Sequence, residues 1–268
     1  MIYSNTDAQA LKKLFREIGL NNPKGDLYKA RTRKHQQVMA YIQQIEAAAN
    51  KLSHKRPITI LDCACGKSYV AFVLYHYFSV VLKRRVKIIG IDNNPDLIAK
   101  CQKTAENLKL SGLRFVCSDV EHFTVDEPID IVYSLHACDK ATDQTIAKGL
   151  SVGARVIFSV SCCQHSARKA LSNHPLKPAS RFQVYKERIV DIVGDSMRAL
   201  LLEERGYGVK IYEFVASSQT PKNVMMRATK NAVRLPDRLA AEKRYQDMAS
   251  SFGLEPYLKT LVDQETAA

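Results

Sequence analysis

The stretch that most constrains the fold is residues 58–68, ITILDCACGKS. Strand-forming residues run into Asp62, and small residues then lead to Gly66. The amphipathic run over residues 69–82 that follows predicts a helix. A strand, a tight turn and a helix N-terminus leave free backbone N–H groups that a ligand can approach closely. The stretch therefore predicts a ligand-binding loop at the edge of an α/β sheet.

Two common glycine loops fit this stretch poorly. A phosphate-binding P-loop requires a glycine at the position that Leu61 occupies. A dinucleotide loop requires the pattern G-x-G-x-x-G, and Gly66 is the single glycine of the loop. An ATPase is therefore disfavoured, and NAD is kept as the second choice of cofactor.

Strand and helix patterns alternate from residue 58 onward, which is typical of a parallel sheet. Residues 217–222 are too few for a crossover helix, so the last two strands should form an antiparallel hairpin. We expect an α/β, doubly wound, Rossmann-like fold with a seven-stranded, mostly parallel sheet that ends in this hairpin. The strands are expected at residues 58–61, 86–91, 113–117, 129–135, 155–161, 209–216 and 223–228. Helices are expected at residues 8–18, 26–52, 69–82, 95–109, 141–149 and 181–206, with one or two more after residue 235.

Three segments are predicted along the chain. Residues 1–56 read as a helical N-terminal extension, residues 57–235 as the α/β domain, and residues 236–268 as a helical C-terminal tail. No internal repeat or low-complexity tract interrupts them.

Acidic residues end three successive predicted strands, at Asp62, Asp92 and Asp119. Ligands of open α/β sheets bind beyond the carboxyl ends of the strands. Three carboxylates at one edge would repel one another, so a ligand rich in hydrogen-bond donors should accompany them. S-adenosyl-L-methionine offers ribose hydroxyls, an adenine amine, an ammonium and a sulfonium. The alternative is that these residues serve as helix caps.

Further motifs in the second half of the chain carry a family resemblance. These motifs are HACD at 136–139 with ATD at 141–143, SCCQH at 161–165 and TPKN at 220–223. With DCACGKSY at 62–69 they resemble class I S-adenosylmethionine-dependent methyltransferases. The branch concerned holds eukaryotic methyltransferase-like proteins, tRNA ribose methyltransferases and bacterial members of uncharacterised substrate. The chain departs from the family pattern at Ala64 and at Asp139, where relatives often have glycine.

The predicted site has three parts. His136 ends the strand beside the cofactor loop and is our first choice of general base, with Asp139 and Asp143 as alternatives, although a structural histidine would look the same. Cys162, Cys163 and His165 have no zinc-module spacing, so no metal is predicted, and buried thiols are the simpler explanation.

The predicted catalytic residues are His136, Asp139, Cys163 and His165. The predicted cofactor-binding residues are Asp62, Cys63, Ala64, Cys65, Gly66, Lys67, Ser68, Asp92, Asn93, Asp119, Val120 and Leu135. The predicted substrate-binding residues are Arg31, Arg33, Lys34, Thr220, Lys222 and Asn223.

The charge balance points to a polyanionic partner. The chain has 40 Lys and Arg against 27 Asp and Glu, a net charge of +13. RNA, as tRNA or rRNA, is the predicted substrate, with protein or small-molecule methylation and non-catalytic nucleoside or RNA binding as alternatives. We predict no membrane segment, and seven cysteines without a signal segment predict a reducing, cytoplasmic location. The oligomeric state is left open.

Overall fold

The computed structural model describes residues 5–21, 32–135, 137, 139–171, 174–218, 220, 222–231 and 233–267. The strands are β1 (Ile58–Cys63), β2 (Val86–Asp92), β3 (Leu113–Cys117), β4 (Ile131–Leu135), β5 (Val156–Val160), β6 (Tyr207–Glu213) and β7 (Val224–Lys230). The helices are α1 (Asn5–Glu17), α2 (Thr32–Ala49), α3 (Tyr69–His76), α4 (Pro95–Asn107), α5 (Lys140–Ser151), α6 (His165–Ala170), α7 (Lys177–Ser180), α8 (Gln183–Glu204), α9 (Leu235–Phe252) and α10 (Tyr257–Ala267). Within these ranges, no helix has the length and apolar character that crossing a bilayer requires.

The seven strands form one sheet in the order β3-β2-β1-β4-β5-β7-β6. β1 and β2 are parallel, with Ile60 opposite Ile88, and β2 and β3 are parallel as well. β7 runs antiparallel to β5, with Ala228 opposite Ile157. The predicted mostly parallel sheet with a closing antiparallel hairpin is therefore confirmed.

The chain divides into two compact units. The first holds the described residues up to Ile131 together with Glu213–Asn223. Every residue of β1 is buried, which fits a strand covered on both faces. Phe72 of α3 packs on Phe115 of β3 with ring centroids 5.3 Å apart. This core supports the edge at which β1 and β2 end.

The second unit holds Val132–Tyr212 and the described residues from Val224 onward. Each residue of β5 is buried, and the Tyr207 hydroxyl donates to the Ala154 carbonyl at 2.8 Å. α9 packs on α8, and α10 packs on α5. One or two helices were predicted after residue 235, and the two that are present belong to this unit.

Several boundaries differ from those expected. β1 continues to Cys63, so Asp62 lies inside the strand, and β4 begins at Ile131 instead of residue 129. The single helix expected over residues 69–82 is α3 followed by a π-helical turn at Tyr77–Val81. The short helices α6 and α7 were not predicted. Residues 22–31 of the basic helix start lie outside the described residues.

Arg84 anchors the C-terminal end of α2, and its removal should destabilise the fold. The buried guanidinium donates to the carbonyls of Ala49, Leu52 and Ser53 at 2.7, 3.0 and 3.2 Å. Arg84→Met keeps an apolar stem but removes these donors, so we expect a loss of about 1–3 kcal/mol in urea unfolding. Arg85→Met is the matched control, because exposed Arg85 donates to a single carbonyl within the described part of the chain. Equal stability losses in the two variants would contradict the anchoring role.

Candidate functional site

The loop after β1 has an unusual backbone. Ala64, Gly66 and Ser68 have φ angles of 52°, 54° and 49°, in the left-handed region that favours glycine. A Cβ atom at Gly66 would meet no atom within 4 Å, so the space beside the loop is open. Two of these left-handed positions carry side chains, so hydrogen bonds must hold the loop in its shape.

Buried Asp62 and the end of β2 supply those bonds. The Asp62 carboxylate is 4% exposed and accepts from the Ser68 hydroxyl at 2.9 Å. The Cys65 N–H donates to the Ile91 carbonyl at 2.9 Å, and the Ser68 N–H donates to the Cys65 carbonyl at 2.7 Å. The loop is therefore tied to both strands before any ligand binds.

Asp92, at the end of β2, faces the loop. One carboxylate oxygen accepts from the Gly66 N–H at 2.8 Å, and the other accepts from the Asn94 N–H at 3.0 Å. A carboxylate oxygen accepts two hydrogen bonds, so each retains a lone pair for a ligand hydroxyl. Asn94 in turn caps α4 by accepting from the Leu97 N–H at 3.1 Å. Asp92 is thereby fixed beside open space with acceptor capacity left for a ligand.

The ends of β2 and β3 bring further predicted residues together. The side-chain nitrogen of Asn93 lies 3.5 Å from an Asp119 carboxylate oxygen, and both side chains are exposed. Val120, the next residue, is buried and offers an apolar contact. This donor, acceptor and apolar set fits a nucleoside.

Other predicted loop residues have different surroundings. Cys63 is fully buried, which leaves only its backbone for a ligand. Lys67 is exposed and lines a cavity of about 250 Å³ with Glu17 of α1 and Lys100 of α4. Leu135 is half-buried at the end of β4.

Two thiols near the loop are held protonated. Burial, reinforced by Asp62 and other nearby acidic groups, raises the pKa of Cys65 far above its ordinary value. Burial and the carboxylates of Asp62 and Asp92 raise the pKa of Cys101 to about 11. The Cys101 thiol lies 3.5 Å from the Gly66 carbonyl oxygen, within the distance for a weak sulfur hydrogen bond. These groups suit packing beneath the loop and do not suit nucleophilic attack.

We expect Cys65 and Cys101 to resist alkylation. At about pH 8, a pKa of about 11 leaves about one thiol in a thousand ionised. Iodoacetamide labelling followed by peptide mass spectrometry should modify exposed Cys117 at least about tenfold faster than either thiol. Labelling of Cys65 or Cys101 as fast as that of Cys117 would contradict the protonated state.

Asp139 joins the loops after β4 and β5. Its N–H donates to the Cys163 carbonyl at 2.9 Å, and its carboxylate accepts from the Ser166 N–H at 3.1 Å and the Ser166 hydroxyl at 2.7 Å. Its φ of 52° lies in the positive region that favours glycine. Cys163 is half-buried, and His165 is exposed at the start of α6. His136 and Cys138 lie outside the described residues.

A buried charge network lies behind this loop. Arg198 of α8 donates to Asp143 at 2.6 Å, to Gln164 at 2.8 Å and to Asp195 at 3.2 Å. Burial opposes its charge, but the two carboxylates outweigh burial and raise the pKa of Arg198. Burial raises the pKa of Asp195, which also accepts from the Ser161 hydroxyl. Asp143, an alternative base, is 3% exposed and serves this network.

The predicted substrate-binding residues lie at two places in the first unit. Arg33 is exposed and Lys34 half-buried on α2, whereas Arg31 lies outside the described residues. In the hairpin, the Lys222 N–H donates to the Thr220 hydroxyl at 3.2 Å. Asn223 is buried, and its side chain donates to the Val215 carbonyl at 2.9 Å, which closes the turn. The hydrogen bonds of Thr220 and Asn223 are thus structural within the turn.

Ser166, Arg198 and Asp195 were not predicted from the sequence as part of the site. A signal for the network existed, because Asp191, Asp195 and Arg198 have the i, i+4, i+7 spacing of one helix face. Ser166 carried no such signal, since its partner Asp139 is 27 residues away. Among the described residues, no cluster of three or more His, Cys, Asp or Glu side chains could hold a metal ion.

The sheet order and the loop after β1 define a methyltransferase-type α/β protein. A family model described as "Methyltransferase domain" matches residues 33–170, just over half of the chain. The chain belongs to this family. Membership of a methyltransferase family agrees with S-adenosyl-L-methionine as the predicted cofactor.

The chain is also similar to particular proteins. The bovine glutathione S-transferase C-terminal domain-containing protein is 25% identical over 191 residues, which cover 62% of this chain and 29% of that protein, and the human protein gives the same figures. The chain thus spans about three tenths of the length of these relatives. Among solved structures, magnesium protoporphyrin IX methyltransferase from Synechocystis PCC 6803 with bound SAH is 13% identical, with a TM-score of 0.48 and coverage of 84% of this chain and 99% of that chain. The 23S rRNA methyltransferase ErmE is 13% identical, with a TM-score of 0.48 and coverage of 79% and 75%.

Proposed function

We propose that this chain is an S-adenosylmethionine-dependent methyltransferase that acts on RNA, in the branch with the tRNA ribose methyltransferases. The observation that carries the proposal is the Asp92 carboxylate, bound to the Gly66 N–H beside the open space of the loop. That pairing presents an acid and a close backbone approach together, as a bound nucleoside requires.

The cofactor-binding roles follow from the position of each side chain. The remaining lone pairs of Asp92 accept hydrogen bonds from the ribose hydroxyls. Asp119 accepts a hydrogen bond from the adenine amine, and Val120 packs against the adenine ring. Asp62 and Ser68 hold the loop for the amino-acid end, and Asn93, Lys67 and the backbone of residues 63–66 complete the site in the first unit. The cofactor-binding role of Leu135 stays a prediction. The bound cofactor supplies a methyl group on a positively charged sulfur.

The acceptor side rests on the residues after β4 and β5. We assign the general base to His136, because a hydroxyl or amine nucleophile loses a proton during transfer. Asp139 and Ser166 fix the loop that follows His136 and line a cavity of about 250 Å³ with Tyr257. Cys163 and His165 flank the Asp139–Ser166 contact and are proposed to position the acceptor.

RNA is favoured as the substrate by the charge of the chain. The net charge of +13 suits a polyanion, and Arg33, Lys34 and Lys222 are proposed as contacts to its phosphates, with Thr220 and Asn223 shaping the turn. Residues 57–235 are proposed as the catalytic domain between a helical extension (1–56) and a helical tail (236–268). All six described cysteines are free thiols, in keeping with the proposed cytoplasmic location.

Calorimetric titration with S-adenosylmethionine, S-adenosylhomocysteine and NAD tests the proposal, followed by transfer of a labelled methyl group to tRNA and rRNA. We expect both adenosyl compounds to bind, NAD not to bind, and ribonuclease to remove the incorporated label. Binding of NAD alone would indicate an oxidoreductase. Cofactor binding without transfer to RNA, protein or small molecules would favour a non-catalytic nucleoside-binding protein.

A further inference from the structure

Exposed apolar side chains are concentrated at the start of α8. Of nine large hydrophobic residues that are exposed in the described part of the chain, five lie between residues 176 and 192. Phe182 and Tyr185 are 52% and 53% exposed, and Ile192 is 66% exposed. The opposite face of α8 is buried through Ile189 and Val193. A helix with one face in the core thus carries a second apolar face in solvent, which is typical of an interaction site.

The same segment is strongly basic. Residues 165–188 contain six Lys and Arg and a single acidic residue, Glu187. Arg168 and Gln183 already bind the two Glu187 carboxylate oxygens. In the described parts of the chain, no acidic side chain pairs with Arg181, Lys186 or Arg188. The surface therefore keeps its positive charge for an outside partner.

Aromatic and guanidinium groups alternate on this surface. The Phe182 and Tyr185 rings meet edge to face with centroids 5.9 Å apart. The guanidinium carbon of Arg181 lies 4.7 Å from the Phe182 centroid. Arg188 lies between Val184 and Ile192 on the exposed side of the helix, one turn from each. We call Arg181, Phe182, Val184, Tyr185, Arg188 and Ile192 the aromatic-basic surface.

We propose that the aromatic-basic surface binds single-stranded RNA and holds the substrate on the enzyme. Bases of a single strand stack on exposed aromatic rings, while arginines bind the phosphates that link them. The base faces of a duplex are stacked inside it, so a duplex would bind this surface through its phosphate charges alone. The excess of arginine and lysine over acid favours RNA over an apolar protein partner. The inference names a docking surface for the substrate class and rests on the proposed function.

Binding of a fluorescein-labelled oligouridylate to the wild-type chain and two double variants tests the inference. Phe182→Ala with Tyr185→Ala should raise the Kd about tenfold or more, since stacking is lost. Arg181→Gln with Arg188→Gln should lower the slope of log affinity against log salt by about 1.4, at about 0.7 for each phosphate contact. Leu235→Ala with Leu239→Ala controls for exposed apolar area, and Lys103→Gln with Arg114→Gln controls for lost charge.

Three outcomes would overturn the inference. The first is an unchanged oligouridylate Kd in the aromatic variant, and the second is equal weakening by either control pair. In the third, the double variants lose binding to anionic phospholipid vesicles but bind RNA as the wild type does, which would assign the surface to a membrane. A labelled RNA duplex should bind the aromatic variant as it binds the wild type, and heparin should do the same, because neither offers base faces.

Titration with S-adenosylhomocysteine separates this inference from the proposed function. Each variant should bind S-adenosylhomocysteine as the wild type does, because the substituted side chains are exposed. If the wild type binds oligouridylate through this surface but binds no S-adenosylhomocysteine, the methyltransferase proposal fails and the docking surface stands. If cofactor binding and methyl transfer are intact while both double variants methylate RNA with unchanged KM, the docking surface fails and the enzyme proposal stands.

Discussion

Replacing Asp92 with alanine is expected to weaken S-adenosylhomocysteine binding by about 100-fold or more. A hydrogen bond to a charged group contributes about 1.5–3 kcal/mol, and two ribose hydroxyls would lose such a bond. Two bonds together exceed the roughly 2.7 kcal/mol that corresponds to a 100-fold change in Kd. The Gly66 and Asn94 N–H groups would also lose their acceptor, so the loop and the start of α4 would lose their fixed positions.

Two further substitutions give this experiment its controls. Asp92→Asn keeps one acceptor oxygen and should weaken binding less than alanine does. Asp96→Ala removes an exposed acid from the first turn of α4, four residues further on, and should leave the Kd unchanged. The measurement is calorimetric titration, with thermal unfolding to show that each variant is folded. An Asp92→Ala chain that binds S-adenosylhomocysteine as tightly as Asp96→Ala does would remove the assignment of the cofactor site.

The fold could be predicted because its signals are local. Buried parallel strands have continuous apolar runs, as in residues 58–61, and the strand-end acids mark the edge where β1 and β2 stop. The short connection at residues 217–222 fixed the antiparallel hairpin by chain length alone. The π-helical turn at Tyr77–Val81 has no such signal, since its residues suit an α-helix equally well.

The candidate site could be predicted only in part, for a physical reason. Asp92 was found because its position in the strand pattern implies its position in space. The bond between Asp139 and Ser166 depends on how two loops meet, and the sequence does not encode that meeting in any spacing. Asn223 has a polar side chain that could bind a ligand, yet its amide closes a turn by donating to the Val215 carbonyl. A polar side chain in a loop can serve the backbone or a ligand, and its sequence context is the same in both cases.

Replacing Arg198 with methionine is expected to destabilise the chain by about 3–5 kcal/mol at neutral pH, because the buried Asp143 carboxylate and the largely buried Asp195 carboxylate would lose their counter-charge. Arg198 and Asp143 are both 3% exposed, and Asp195 lies with them in the network. Methionine is close in length and apolar, so lost packing contributes little to the effect. Urea unfolding measures the free energy of unfolding. Titration with S-adenosylhomocysteine shows whether the loop after β1, in the first unit, keeps its conformation.

The loss of stability should depend on pH in a definite direction. Burial already raises the pKa of Asp195 above that of the unfolded chain, and removing the guanidinium raises it further. A carboxyl whose pKa is higher in the folded state costs stability above that pKa, and the cost disappears as the pH falls through it. The Arg198→Met chain should therefore recover part of its stability at about pH 5 relative to about pH 7.5.

A surface ion pair provides the comparison that isolates burial. Lys259 and Asp263 of α10 lie 2.6 Å apart with side chains 31% and 53% exposed. Lys259→Met should cost less than about 1 kcal/mol and show no recovery at low pH, because water screens and solvates the remaining carboxylate. If Arg198→Met costs no more than Lys259→Met, the buried network of Arg198, Asp143 and Asp195 does not stabilise the fold. If it costs more but without the pH dependence, the effect comes from lost hydrogen bonds and not from unpaired charge.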